Sequence, residues 1–182
     1  MFNADRSLGA SRWHLIRLGS NSRTEVVLLS PRFFEITVHF HGCSILCPGD
    51  DCPLCQFLSS RGLFYVAAHC MSRIMLLELG SQSAATLEQH CKLLHGGMKP
   101  GHVIELSRRG AKHPVHSEVL RFQENCNAID QLTLAQRVMA VYKFPPPNPC
   151  DTLESYEQRL RSAAMMRASR LAESLLKRPA KN

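Results

Sequence analysis

The segment Cys43-Ser-Ile-Leu-Cys47-Pro-Gly-Asp-Asp-Cys52-Pro-Leu-Cys55 gathers four thiols, and His39 and His41 stand just ahead of it. Sulfur and imidazole nitrogen at this spacing are what a tetrahedral zinc ion takes. Cys52 and Cys55 supply a two-ligand Cys-Pro-Leu-Cys knuckle. Cys47 supplies a third ligand from across the Gly49-Asp50-Asp51 turn. The fourth is His39, His41 or Cys43. His39 is preferred, because a ligand on a strand ties the sheet edge to the loop and gives the spacing H-x7-C-x4-C-x2-C. Metal binding would lock a roughly 17-residue loop that is too polar to fold alone. A redox pair at Cys52 and Cys55 is the competing chemistry, but such pairs open a helix beside a βαβ unit and seldom have further Cys and His around them. A catalytic ion is also disfavoured. Three cysteines make a closed, electron-rich site, and no H-x-E motif accompanies them. The expected cofactor is therefore structural zinc.

Compartment decides how the eight cysteines are read. The N-terminal residues have no apolar h-region, and no apolar run reaches the roughly 20 residues of a membrane span, so a reducing cytoplasm and no membrane are expected. In that setting clustered cysteines suggest metal rather than disulfides. The scattered Cys70, Cys91, Cys126 and Cys150 read as small, mostly buried apolar residues. With 45% hydrophobic and 20% charged residues, the 182-residue chain can build a packed domain plus an appendage. Its formal charge of +7 and pI of about 9.2 favour a polyanionic partner, nucleic acid first.

The elements that must position the cysteines follow from periodicity. In Phe33–His41 the apolar residues Phe34, Ile36, Val38 and Phe40 alternate with Glu35, Thr37, His39 and His41, which predicts a strand with one buried face. Short apolar runs at 13–18 and 24–29 precede it, and Pro31 breaks the second. After the cysteines, residues 63–69 and 74–79 predict a hairpin. Ser81 or Ser83 caps a helix over 84–94 that Gly96-Gly97 ends. Residues 102–107 and 115–122 predict two more strands, joined by the basic turn Arg108-Arg109-Gly110-Ala111-Lys112. Residues 128–141 predict a packing helix, within a segment 126–143. Residues 144–150 form a stiff Pro-rich linker, and 151–182 a basic helical arm. Residues 1–125 then form a mainly β domain. Five strands with one helix between the third and fourth is the order of an OB-fold barrel, here carrying an inserted zinc loop.

A His-Cys-Cys-Cys site inserted in such a barrel, with a C-P-x-C knuckle, resembles the zinc-containing single-stranded-DNA-binding (helix-destabilising) proteins of T-even-type phages. The resemblance covers roughly residues 33–122 and implies His39, Cys47, Cys52 and Cys55 as ligands. The loop spacings are shorter here, and in place of that family's acidic tail the chain has a net basic helix, so the likeness bears on fold and ligands more than on a role in replication.

A barrel that binds single strands needs cations to track phosphates and aromatics on which bases stack. Phe33 and Tyr65 fall opposite the most apolar strand faces. Arg61, Arg73, Lys99, Arg108, Arg109 and Lys112 sit at strand ends and turns. The alternative is that both aromatics pack under the cysteine loop. The helix at 151–178 packs back on the barrel, docks a protein partner or a second copy through its leucines and methionines, or lays Arg159, Arg161, Arg167 and Arg170 along a nucleic-acid strand. No paired carboxylates, H-E-x-x-H, P-loop or G-x-S-x-G motif is present, so the expectation is a non-enzymatic binder of single-stranded nucleic acid. The alternative is a zinc-stapled interaction module.

Overall fold

The structure, a computed structural model, describes residues 13–110, 114–145 and 147–176. Among these residues β1 (Leu15–Ile16), β2 (Ser22–Leu28), β3 (Phe34–His41), β4 (Cys43–Leu46), β5 (Ser60–Cys70), β6 (Arg73–Gly80), β7 (His102–Arg108) and β8 (His116–Phe122) form one sheet. Helix α1 (Ser81–His95) lies between β6 and β7. Helices α2 (Gln131–Val141) and α3 (Leu153–Leu176) follow the sheet.

The sheet order is β1-β6-β5-β2-β7-β8, with β3 and β4 extending from β5. All five expected strands form, but the closed five-stranded barrel is not observed. Among the described residues β6 does not pair with β8, and its edge is taken by β1 running parallel to it. Pro31 has no amide hydrogen to donate, and β2 stops just before it. The Ser30 hydroxyl fills the gap by accepting the Ala67 amide at 3.0 Å. The chain resumes as β3, which pairs with the first half of β5.

β5 is buried on both faces. Val66, Ala68 and Cys70 join Ala84, Leu87 and Cys91 of α1 in one core. Leu63, Tyr65 and Ala67 join Leu134, Val138 and Met139 of α2 and Tyr156, Leu160 and Ala164 of α3 in another. Tyr65 is therefore fully buried and offers no stacking surface. Alternation along β5 placed it on a polar face, whereas α2 and α3 add a second apolar layer there. Phe33 is half-buried, edge-on to Phe64 with ring centroids 6.0 Å apart.

The helix ends follow their sequences with one exception. Gly96 closes α1 in the left-handed conformation (φ 72°), as expected. Its start is capped by neither Ser81 nor Ser83. Gly80 occupies the N-cap and makes no side-chain hydrogen bond there. Asp130 caps α2 by accepting the Thr133 amide at 2.9 Å.

The Pro-rich segment does not release α3 as a separate arm. Phe144 is buried, the Tyr156 hydroxyl donates to the Pro145 carbonyl at 2.9 Å, and Arg167 donates to the Tyr142 and Lys143 carbonyls. The Arg167 guanidinium also lies 4.0 Å from the centre of the Phe144 ring. Beyond it, Ala168 and Ala172 close over Cys52 and Leu54, with Leu171 and Leu175 packed alongside. The apolar stripe of α3 is thus buried, its first half in the core shared with β5 and α2 and its second half against the cysteine segment. None of the described helices is long and apolar enough to cross a membrane.

Candidate functional site

Gly42, with φ 71°, turns β3 back on itself, so that His41 pairs with Cys43 and His39 with Ile45. The Cys47 amide then donates to the Thr37 carbonyl at 2.8 Å, which brings its sulfur alongside β3. Pro53–Gln56 forms one 3-10 turn, held by Cys55 N–H to the Cys52 carbonyl at 3.1 Å. The result is a cluster of His39, Cys47, Cys52 and Cys55 whose ligand atoms all lie within 4.8 Å of one another. Cys43 stays exposed at the hairpin tip, and His41 is its cross-strand partner, two residues beyond His39. Neither belongs to the cluster.

The distances fit a tetrahedral cation. Bonds of roughly 2.0–2.3 Å to nitrogen and sulfur set ligand atoms about 3.5–3.8 Å apart. Here His39 Nε2 lies 3.4 Å from Cys52 Sγ and 3.6 Å from Cys55 Sγ, and Cys47 Sγ lies 3.9 Å from Cys55 Sγ. The imidazole is oriented for this role. His39 Nδ1 lies 3.2 Å from the Ser59 carbonyl, which can only accept, so Nδ1 carries the proton and Nε2 presents its lone pair. His39 is fully buried. That reverses the alternation read from the sequence, because past Val38 the strand leaves the apolar layer and its odd face meets the cysteine turn. Phe40 is correspondingly 62% exposed. Without a cation, burial pushes the Cys47 thiol up to about 12; a hydrogen bond with the Gly49 backbone opposes this, and the neighbouring Cys52 and Cys55 sulfurs add to the rise. Ionised thiols in this crowd call for a bound positive charge.

The scattered cysteines divide evenly. Cys70 and Cys91 are buried, whereas Cys126 is half-buried and Cys150 exposed.

A second feature is a groove of about 900 Å3 between β4, the N-terminal strand and the end of α2. Arg17, Arg61, Arg108, Lys143 and Arg167 line it, with Glu78 the one acidic residue among them. Of the cations expected from sequence, the structure brings Arg61 and Arg108 together here. The Arg108 guanidinium also donates to the Leu18 carbonyl at 3.3 Å. Arg73 sits at the β5–β6 turn, Lys99 is exposed between α1 and β7, and Arg109 is exposed after β7. Lys112 lies outside the described residues. Arg17 and Lys143 were missed, whereas Arg167 was among the α3 arginines expected to lie along nucleic acid. Both missed residues belong to elements read as structural, and only their convergence in space marks them.

Lys143 carries a further signal. It occupies the left-handed position after α2 (φ 58°), with Phe144 N–H on the Met139 carbonyl and its own N–H on the Ala140 carbonyl. Glycine is the low-energy residue at such a helix end. A lysine there keeps a cation in the groove at a cost of about 1 kcal/mol in backbone strain.

No family model, no curated protein and no solved structure matches this chain.

Proposed function

We propose that the protein is a non-enzymatic binder of single-stranded nucleic acid, DNA in the first instance, with its fold locked by a structural zinc ion. The observation that carries this reading is the convergence of five cationic side chains on one groove. Zinc is the ion that a closed set of three thiolates and one imidazole suits best. Bound at His39, Cys47, Cys52 and Cys55, it would keep the thiols ionised and hold the β3–β4 hairpin to the knuckle.

The topology supports the same reading. Strands β6, β5, β2 with β3, β7 and β8, with α1 between β6 and β7, follow the order of an OB-fold whose first strand is split at Pro31. In such folds nucleic acid lies between the loop joining the first two strands and the loop joining the last two. The counterparts here are the cysteine segment and the connection after β7, and Cys43 to Leu46, Arg108 and Val115 from these regions border the groove. The His-Cys-Cys-Cys order shared with helix-destabilising proteins points the same way, toward a part in replication, recombination or repair. Cations would follow the phosphates and release counterions, and Tyr142 offers a ring at the groove wall. The reading of α3 as a docking arm loses most of its apolar stripe, which is buried within the chain, while Met166 and Leu176 stay exposed.

The test is a salt titration of oligo-dT binding by fluorescence anisotropy. Five phosphate contacts predict a slope of log K on log salt of about −3.5. Replacing Arg17, Arg61 and Lys143 together by alanine is expected to flatten it by about 2 units. No binding at low salt, or an unchanged slope in the triple variant, rules the groove out.

A further inference from the structure

The one carboxylate among the described residues lining the groove sits in a hydrogen-bonded chain. Glu78 on β6 is the cross-strand partner of Tyr65 on β5. Tyr65 donates its only hydroxyl proton to Glu78 Oε2 at 2.6 Å, and its oxygen lies 2.8 Å from the Tyr142 hydroxyl. With the Tyr65 proton committed, Tyr142 must be the donor in the second bond. Burial, then the bond to Glu78, raises the Tyr65 hydroxyl far above its usual range, and burial raises Tyr142 as well. Both phenols therefore keep their protons, and the order is fixed as Tyr142 to Tyr65 to Glu78.

The chain leaves only acceptors facing the groove. Glu78 Oε1 has no protein partner among the described residues, and no cation there forms an ion pair with it. The Tyr142 oxygen, its proton turned inward, offers a lone pair. Both Glu78 and Tyr142 line the groove that Arg17, Arg61 and Lys143 make positive.

Acceptors ringed by cations suit a ligand with an anionic backbone and an edge of adjacent donors. Among the four common bases, guanine alone presents two neighbouring donors on its Watson–Crick edge, N1–H and the N2 amine. Adenine and cytosine pair each amine with an adjacent acceptor, and thymine flanks its one N–H with two carbonyls. A carboxylate accepting from such an edge is a recognised form of base readout on splayed single strands. Resting on the single-strand reading above, we infer that the groove is a guanine-preferring subsite, read by Glu78 with Tyr142.

The experiment measures zinc-loaded, full-length protein on short oligo-dT strands carrying central guanine, hypoxanthine or thymine. The guanine strand is expected to bind about tenfold tighter than the all-thymine strand. The hypoxanthine strand, which lacks the N2 amine, is expected to fall between them. Glu78→Gln keeps an oxygen for Tyr65 but turns an amide NH2 toward the groove. It should abolish the preference while oligo-dT binding holds or strengthens. Tyr142→Phe, which leaves the carboxylate in place, should reduce the preference. Equal affinity for all three strands, or a preference that survives in Glu78→Gln, overturns the inference and leaves the single-strand reading standing. If no strand binds at all, the single-strand reading falls and a direct titration with GTP decides the guanine contact. Binding that Glu78→Gln abolishes keeps it, and no binding removes it.

Discussion

Asp130 accepts two hydrogen bonds from Thr133, from the amide at 2.9 Å and the hydroxyl at 2.7 Å, and so closes the first turn of α2. Burial alone would raise its carboxyl, but the hydrogen bonds from Thr133 and nearby amides outweigh that and hold it below its usual range. The sign of the linkage follows. A carboxyl depressed by folding adds stability above its unfolded value of about 3.9 and loses it as pH falls through the lower, folded value. Asp130→Ala is expected to cost about 1 kcal/mol at neutral pH in urea melts. The gap between variant and parent should shrink at pH below about 4. A gap that is constant with pH argues against the cap. At this scale the metal ligands were legible, since cysteine and histidine spacing names the chemistry directly. Tyr65 was not, because its phenol reads as amphipathic and only the layer above it decides that it is core.

At the level of elements, α3 is anchored by Arg167, which joins the end of α2 to the Phe144 ring. A charged donor on two carbonyls, together with a cation–π contact, suggests that Arg167→Ala lowers stability by about 2 kcal/mol. Arg167→Lys should recover little of it, since an ammonium cannot bridge both carbonyls and lie flat on the ring. Full recovery by lysine in thermal melts would show that only charge matters there. The helical period of α3 was plain in the sequence, but its destination was not. A stripe of Tyr156, Leu160, Ala164, Ala168 and Ala172 says that one face is covered, not by what. The covering surface includes Leu54 and Cys52, which lie in a segment that reads as a polar loop. β4 was hidden for the same reason, its four residues being absorbed into the cysteine run. The five main strands and α1 were legible because each carries its own period and its own terminators.

For the molecule as a whole, the metal cluster and the groove share α3. Ala168 and Ala172 rest on the knuckle, and Arg167 lines the groove one residue away. Chelation should therefore be felt at both. Reduced protein is expected to hold one equivalent of zinc and to melt about 10 °C lower in EDTA, by calorimetry beside metal analysis. Cys43→Ser and His41→Ala should retain the ion, and Cys52→Ser should not. Identical melts with and without EDTA would remove the metal from the account of the fold.

The placement of α3 also orders events on the ribosome. The four ligands are all synthesised once Cys55 has emerged, but the alanines that cover Cys52 arrive roughly 110 residues later, on the order of 10 s at ordinary elongation rates. During that interval Cys52 stands as open to solvent as Cys55 remains in the folded protein, so ion capture and oxidation compete at it before α3 arrives.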